Sequence, residues 1–213
     1  NSMRNLEILK GLNSNRKSGS LLEVLDYTKT SMGQRLLRRW IEEPLLNVAE
    51  IKKRQDYVEE FKSDFILLDD VRSILSSIID MERQMVKISD NEINPNEFNA
   101  LKGSLESVME LKSYLEGSNI KNLNEISYEL KPLYNIIEEI DSMIVEDAPV
   151  KTVDVKFIKD GYSEELDELF RLSKDGKKFL IDLEAKEKEE TGIKNLKIKY
   201  NKILGYFIEV TKS

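Results

Sequence analysis

The chain has 213 residues, of which 40% are hydrophobic and 34% charged, with a net charge of −7. That length supports one buried core, or a core plus a small satellite unit, and the negative charge argues against a general nucleic-acid-binding domain, which is usually basic. Neither cysteine nor histidine occurs; disulfides, thiolate metal sites, cysteine nucleophiles, the Ser-His-Asp arrangement and the commonest zinc ligand are therefore excluded. The apolar runs fall far short of a bilayer span, and the N-terminus lacks a signal-peptide layout, so a cytoplasmic protein without membrane contact is expected.

From Thr30 to Ile41, the residues Met32, Leu36, Leu37, Trp40 and Ile41 share one helical face. This spacing predicts a helix whose stripe, Trp40 included, packs into a core, and Pro44 predicts its end. Asn47 with Glu50 three residues later opens the next helix, with Ile51, Val58 and Phe61 inward. Between Leu67 and Ile88, apolar residues recur at alternating threes and fours, which predicts one long helix. Asn94-Pro95-Asn96-Glu97 combines a cap, a first-turn proline and an acid facing the helix dipole. Phe98, Leu101, Leu105, Val108 and Leu115 continue that helix. Another helical stretch carries Ile126, Leu130, Leu133, Ile137, Ile140 and Ile144, with Pro132 marking a kink or a fresh start.

After Pro149 the pattern changes. Val153, Val155 and Phe157 alternate as in a short strand or an extended connector. Asp160-Gly161 signals a turn, and Ser163 followed by Glu164 and Glu165 starts a helix expected to run toward Glu190. Its stripe is Leu166, Leu169, Phe170, Leu180 and Leu183, and its charged end from Lys186 onward is expected to lie in solvent. Beyond Gly192 the period becomes two: Leu196, Ile198 and Tyr200 on one face, Lys197, Lys199 and Asn201 on the other. Gly205 marks a turn, and Tyr206, Ile208 and Val210 form a second strand. The expected fold is mainly α, with a long projecting helix that ends in a short β-hairpin.

Chemical motifs are sparse. No phosphate-cradling P-loop, H-E-x-x-H, EF-hand loop or nucleophile elbow occurs. The acids Glu187, Glu189 and Glu190 read as a charged helix face laced with Lys186 and Lys188 rather than as a cation site. Asp80, Glu82 and Arg83 read as capping or bridging groups. The hairpin lysines carry more information. Residues 194–204 contain Lys194, Lys197, Lys199 and Lys202 and no acid. A short lysine run is usually a solvated face, but lysines lining one strand at an arm tip suit phosphate contact, because a flexible point charge does not read bases.

Three blocks now carry a family resemblance. The stretch from Thr191 to Ser213, with Gly192-Ile193-Lys194-Asn195-Leu196-Lys197-Ile198-Lys199-Tyr200-Asn201 and Gly205-Tyr206-Phe207-Ile208-Glu209-Val210, resembles the clamp segment of the MutS-type DNA mismatch-repair family. Gly19-Ser20-Leu21-Leu22, Leu25-Asp26, Thr28, Thr30, Met32-Gly33, Arg35, Leu37, Trp40 and Pro44-Leu45 form the second block, and Gly161-Tyr162-Ser163-Glu164-Glu165-Leu166-Asp167-Glu168-Leu169 the third. Lys199 stands where many members carry glycine, and Phe207 where many carry tyrosine. The blocks follow the family's order and span nearly the whole chain.

The resemblance implies a helical lever (core) domain over 1–185 and the beginning of a DNA clamp over 186–213. Within the longer protein it implies a homodimer on mismatched double-stranded DNA, a MutL-like repair partner, and ATP with Mg²⁺ used in a separate domain. The chain itself is expected to be non-catalytic and to hold no cofactor and no metal. Its DNA-binding candidates are Lys197, Lys199 and Lys202, with Asn201 and Lys194 as weaker ones. The competing class is a helical scaffold or protein-interaction module that binds no DNA. A hydrolase built on paired carboxylates has little support, since no such pair sits in an apolar surround.

Overall fold

The computed structural model describes residues 2–12, 16–117, 121–152, 155–203 and 205–210. Val153 of the expected strand, Leu204 of the hairpin turn and Thr211 to Ser213 lie outside the described residues. The chain is mainly helical and divides into two compact units, residues 1–157 and residues 158–213.

The first unit holds α1 (Ser2–Asn5), α2 (Leu21–Leu25), α3 (Ser31–Glu42), α4 (Val48–Ser63), α5 (Phe65–Ser76), α6 (Met81–Ser89), α7 (Pro95–Glu116), α8 (Lys121–Glu129) and α9 (Tyr134–Met143). Capping side chains set most of the helix starts. The hydroxyls of Ser20 and Thr30, the Asn47 amide and the Asp64 carboxylate each accept a first-turn N–H. Asn94 forms a complete capping box with Glu97, and Pro95 occupies the first turn of α7, where its missing N–H costs nothing.

The long helix α7 is central and packs against α5, α6, α8 and α9. Leu67, Val71 and Ile74 of α5, Leu111 and Leu115 of α7, and Leu123 of α8 form one buried cluster, with Phe61 of α4 and Ile126 of α8 packed on it. Leu123 is fully buried, although no periodic stripe singled it out. Buried Ser104 has partners for its hydroxyl, whereas among the described residues Glu60 Oε2 and Gln84 Oε1 are buried without one. The Ser104 hydroxyl donates to the Ala100 carbonyl at 3.0 Å and accepts the Ile79 N–H at 3.1 Å. The Asn99 amide donates to the Val145 and Glu146 carbonyls, which fixes the chain leaving α9.

Several expectations change here. The run from Leu67 to Ile88 is two helices, not one, separated by Ser77–Asp80. The break is stabilised because Ser104, from α7, takes the Ile79 N–H and Asp80 caps α6 at the Arg83 N–H. Asp80 also accepts both guanidinium nitrogens of Arg35, at 2.7 and 2.8 Å, so it caps one helix and bridges to another. At Pro132 the chain makes a fresh start rather than a kink. The α3 stripe is not core. Met32, Leu37 and Ile41 are half-buried, while Leu36 and Trp40 are exposed, with the Arg54 guanidinium 3.7 Å from the Trp40 ring centre. Val58 and Met85 also face outward.

The second unit holds α10 (Glu164–Thr191), β1 (Leu196–Asn201) and β2 (Gly205–Val210). Ser163 caps α10 at the Leu166 N–H, and Gly192 ends it in the left-handed region at φ 71°. Leu166, Phe170, Leu180 and Leu183 are half-buried, whereas Leu169 is exposed. The two strands pair antiparallel, with Leu196 opposite Val210 and Asn201 opposite Gly205. Gly205, at φ 71°, supplies the left-handed residue that the short connection needs. Among the described residues no helix is long and apolar enough to cross a membrane.

Candidate nucleic-acid interface

The hairpin sorts its side chains by the strand period. One face carries Lys197, Lys199 and Asn201 together with Glu209 and Phe207. The other carries Leu196, Ile198 and Tyr200 together with Val210, Ile208 and Tyr206. The apolar face is anchored at one end only. Leu196 is buried and α10 packs against β1. Tyr200 and Tyr206 next to the turn, and Ile208 and Val210 along β2, remain more than half exposed, and the two tyrosine rings lie 5.1 Å apart in a tilted pair.

A carboxylate locks the helix to the strand. Glu184 of α10 accepts the Ile198 N–H at 3.0 Å through one oxygen and the Lys188 ammonium at 2.5 Å through the other. The adjacent Lys188 charge, followed by the Ile198 N–H, holds the Glu184 carboxyl below the ordinary carboxylate range, against a smaller opposing effect of burial. The charged end of α10 is thus partly committed to holding the hairpin rather than wholly solvated, with Glu187 and Lys188 half-buried.

The five expected contact residues fall in three places. Lys197 and Lys199 project from β1 on one face, about 6.7 Å apart along the strand by its rise per residue. Lys202 sits in the turn and Lys194 between α10 and β1, each exposed. Asn201 shares the lysine face, but its amide oxygen is occupied by the Ile203 N–H at 2.8 Å, which shapes the turn. The structure therefore brings Lys197, Lys199 and Asn201 together and sets Lys194 and Lys202 at opposite ends of β1.

The lysine face is less positive than residues 194–204 imply. Glu209 stands directly opposite Lys197, and its carboxylate is ion-paired with Lys199. Sequence reasoning missed this because it counted acids along one strand only. Folding the chain about the turn ahead of Gly205 would have placed Glu209 across from Lys197. The pair is exposed, with 49% and 36% of the two side chains accessible, and such pairs are worth about 0–1 kcal/mol. A phosphate can therefore compete for Lys199.

Comparison with known proteins adds a family. The model of MutS domain III matches residues 1–206. The chain is 46% identical to the DNA mismatch repair protein MutS of Acetivibrio thermocellus over 211 residues, covering 99% of this chain and 24% of that protein. It is likewise 46% identical over 213 residues to the protein of that name from Caldicellulosiruptor bescii, covering 100% of this chain and 25% of the relative. The counterpart in Clostridioides difficile is 44% identical over 209 residues, which is 98% of this chain and 22% of that protein. The chain spans about a quarter of the length of these curated relatives.

Proposed function

The chain belongs to the MutS domain III family, and from that membership we propose that residues 1–185 act as a lever and residues 186–213 begin a clamp that touches duplex DNA through its phosphates. The carrying observation is the placement of Lys197 and Lys199 side by side on an exposed strand face, with Lys202 exposed in the adjoining turn. Ammonium groups on flexible stems suit sequence-independent phosphate contact, and the Asn201 amide on that face already has its oxygen engaged by the Ile203 N–H. Packed helices such as α5 to α9 shift as units rather than deforming continuously, which suits transmission of a nucleotide-driven change to DNA. The full-length protein would act in the cytoplasm as a homodimer on mismatched double-stranded DNA, use ATP with Mg²⁺ in another domain, and engage a MutL-like partner.

The salt dependence of DNA binding tests this reading. In the full-length protein, Lys197→Ala is expected to lower the magnitude of the salt slope by about 1 and to weaken all duplexes nearly equally. A Lys197→Ala protein with altered mismatch preference and an unchanged salt slope would show that the residue reads bases or structure instead. Lys199→Ala is expected to have the smaller effect of the two, since its charge already answers Glu209.

A second reading, a scaffold that binds no DNA, draws support from that same Glu209 pairing. A duplex affinity and salt slope left unchanged by removal of Lys197, Lys199 and Lys202 together would favour it. In either reading the chain is expected not to bind ATP, because it has no glycine-rich phosphate cradle. Saturable heat on titration with micromolar ATP in a calorimeter would contradict that expectation.

A further inference from the structure

The first unit carries a second polar surface, unrelated to the hairpin. Residues near the N-terminus and α3 enclose a hollow of about 590 Å³ between Met3, Arg4, Leu9, Lys10, Leu12 and Arg38. A smaller hollow of about 260 Å³ shares Leu9, Lys10 and Arg38 and adds Lys17 and Arg35 to the lining. Among the described residues no carboxylate lines either one, in a chain whose net charge is −7.

The five cations are not equivalent. Lys17 is paired with Asp26, Arg35 with Asp80 and Glu82, and Arg38 with Glu42 at 3.1 Å. Arg4 and Lys10 are exposed and have no acidic partner among the described residues. The nearest acid in sequence, Glu7, has its carboxylate engaged by the Leu12 N–H at 2.6 Å. The hollow therefore offers two uncommitted positive charges, a third shared with Glu42, and an apolar lining from Met3, Leu9 and Leu12.

We propose that this hollow docks a short acidic segment of a partner protein, with carboxylates that meet Arg4 and Lys10 and one aliphatic or aromatic side chain seated against Met3, Leu9 and Leu12. Charge complementarity selects the acid, because a planar guanidinium engages a carboxylate through two parallel hydrogen bonds and the lining carries no competing acid. The apolar lining selects a peptide over a phosphate, which has no apolar surface to bury. It also disfavours a nucleic-acid backbone, since two free cations would release few counterions and hold a duplex weakly. The volume lies within the usual range for sites that enclose a ligand group.

Fluorescence anisotropy with a labelled peptide of alternating glutamate and leucine tests the proposal on the chain as it stands. Binding is expected to saturate and to weaken about tenfold or more in Lys10→Glu and in Arg4→Glu, the consequence of losing a charge-assisted hydrogen bond. Lys10→Arg is expected to retain binding, and Lys53→Glu on α4 to leave it unchanged. The Lys10 side chain makes no hydrogen bond or ion pair among the described residues, so its replacement is expected to leave the helix content measured by circular dichroism intact and to give a readable result even if Arg4→Glu fails to fold. The proposal is overturned by no binding of the acidic peptide, by equal binding of an alternating lysine–leucine peptide, or by affinity indifferent to Lys10→Glu. Displacement of the peptide by inorganic phosphate, or by duplex DNA at a matched concentration of negative charge, would equally overturn it in favour of a phosphate site.

Discussion

Leu115→Ala is expected to destabilise the helical unit by about 2–5 kcal/mol, the range for emptying a packed leucine site. Leu115 is 3% exposed and sits on α7 within the cluster formed with α5 and α8. Its side chain joins three helices at once, and Leu111, Leu123 and Val71 in the same cluster are held on separate elements. They cannot close the gap without moving a helix, so the cavity term adds to the lost transfer energy. Urea denaturation monitored by circular dichroism should show a lower midpoint at unchanged slope, and thermal unfolding a Tm lower by roughly 5–15 °C. Phe65→Ala is the internal contrast. Phe65 is larger but 76% exposed, so its loss should cost no more than about 0.5 kcal/mol. Equal losses from the two changes would show that the α5–α7–α8 cluster is not the stabilising core.

Asp26→Asn is expected to cost about 1–3 kcal/mol near neutral pH, the scale of hydrogen bonds to a charged group. The Asp26 carboxylate is 3% accessible and organises the approach to α3. It accepts the Lys17 ammonium, the Thr28 hydroxyl at 2.5 Å, the Gln34 amide at 2.6 Å and the Thr28 N–H at 3.2 Å. Burial alone pushes its pKa up, but these four donors together more than reverse that effect and hold the carboxyl well below the usual carboxylate range. The sign of the pH dependence follows. A group whose folded pKa is depressed contributes its full stability above its unfolded pKa, about 3.9, and loses that contribution as pH falls toward the folded value. The difference in Tm between the parent chain and Asp26→Asn should therefore be constant from pH 7 to about pH 5 and shrink below about pH 4. A gap that closes between pH 7 and 5 would mean that another group carries the effect.

Near the hairpin and the helix starts, sequence was a good guide because the deciding contacts are short. A cap reaches two or three residues along the chain, so Asn47, Asn94 and Ser163 were legible as helix starts. The change from a period near four to a period of two after Gly192 located the strands, since that period is a property of the backbone alone. The family blocks likewise lay in the order of residues, and the matched family model spans nearly all of them.

Contacts across long stretches of chain decided the rest. The alternation of threes and fours from Leu67 to Ile88 fits one helix or two in succession, and the break at Ser77–Asp80 depends on Ser104, 25 residues beyond Ile79. Trp40 and Val58 carry the same periodic signal as buried residues, yet their burial depends on whether another element covers them, and none does fully. Leu123 shows the converse, buried completely by α5 and α7 with no stripe to announce it. Glu209 neutralises part of the lysine face only once β2 pairs with β1, and the acid-free hollow exists only because Arg38 is brought beside Arg4 and Lys10. Caps and strand periods are fixed within a few residues and survive in any context. Burial and net local charge are sums over neighbours that only the folded chain supplies.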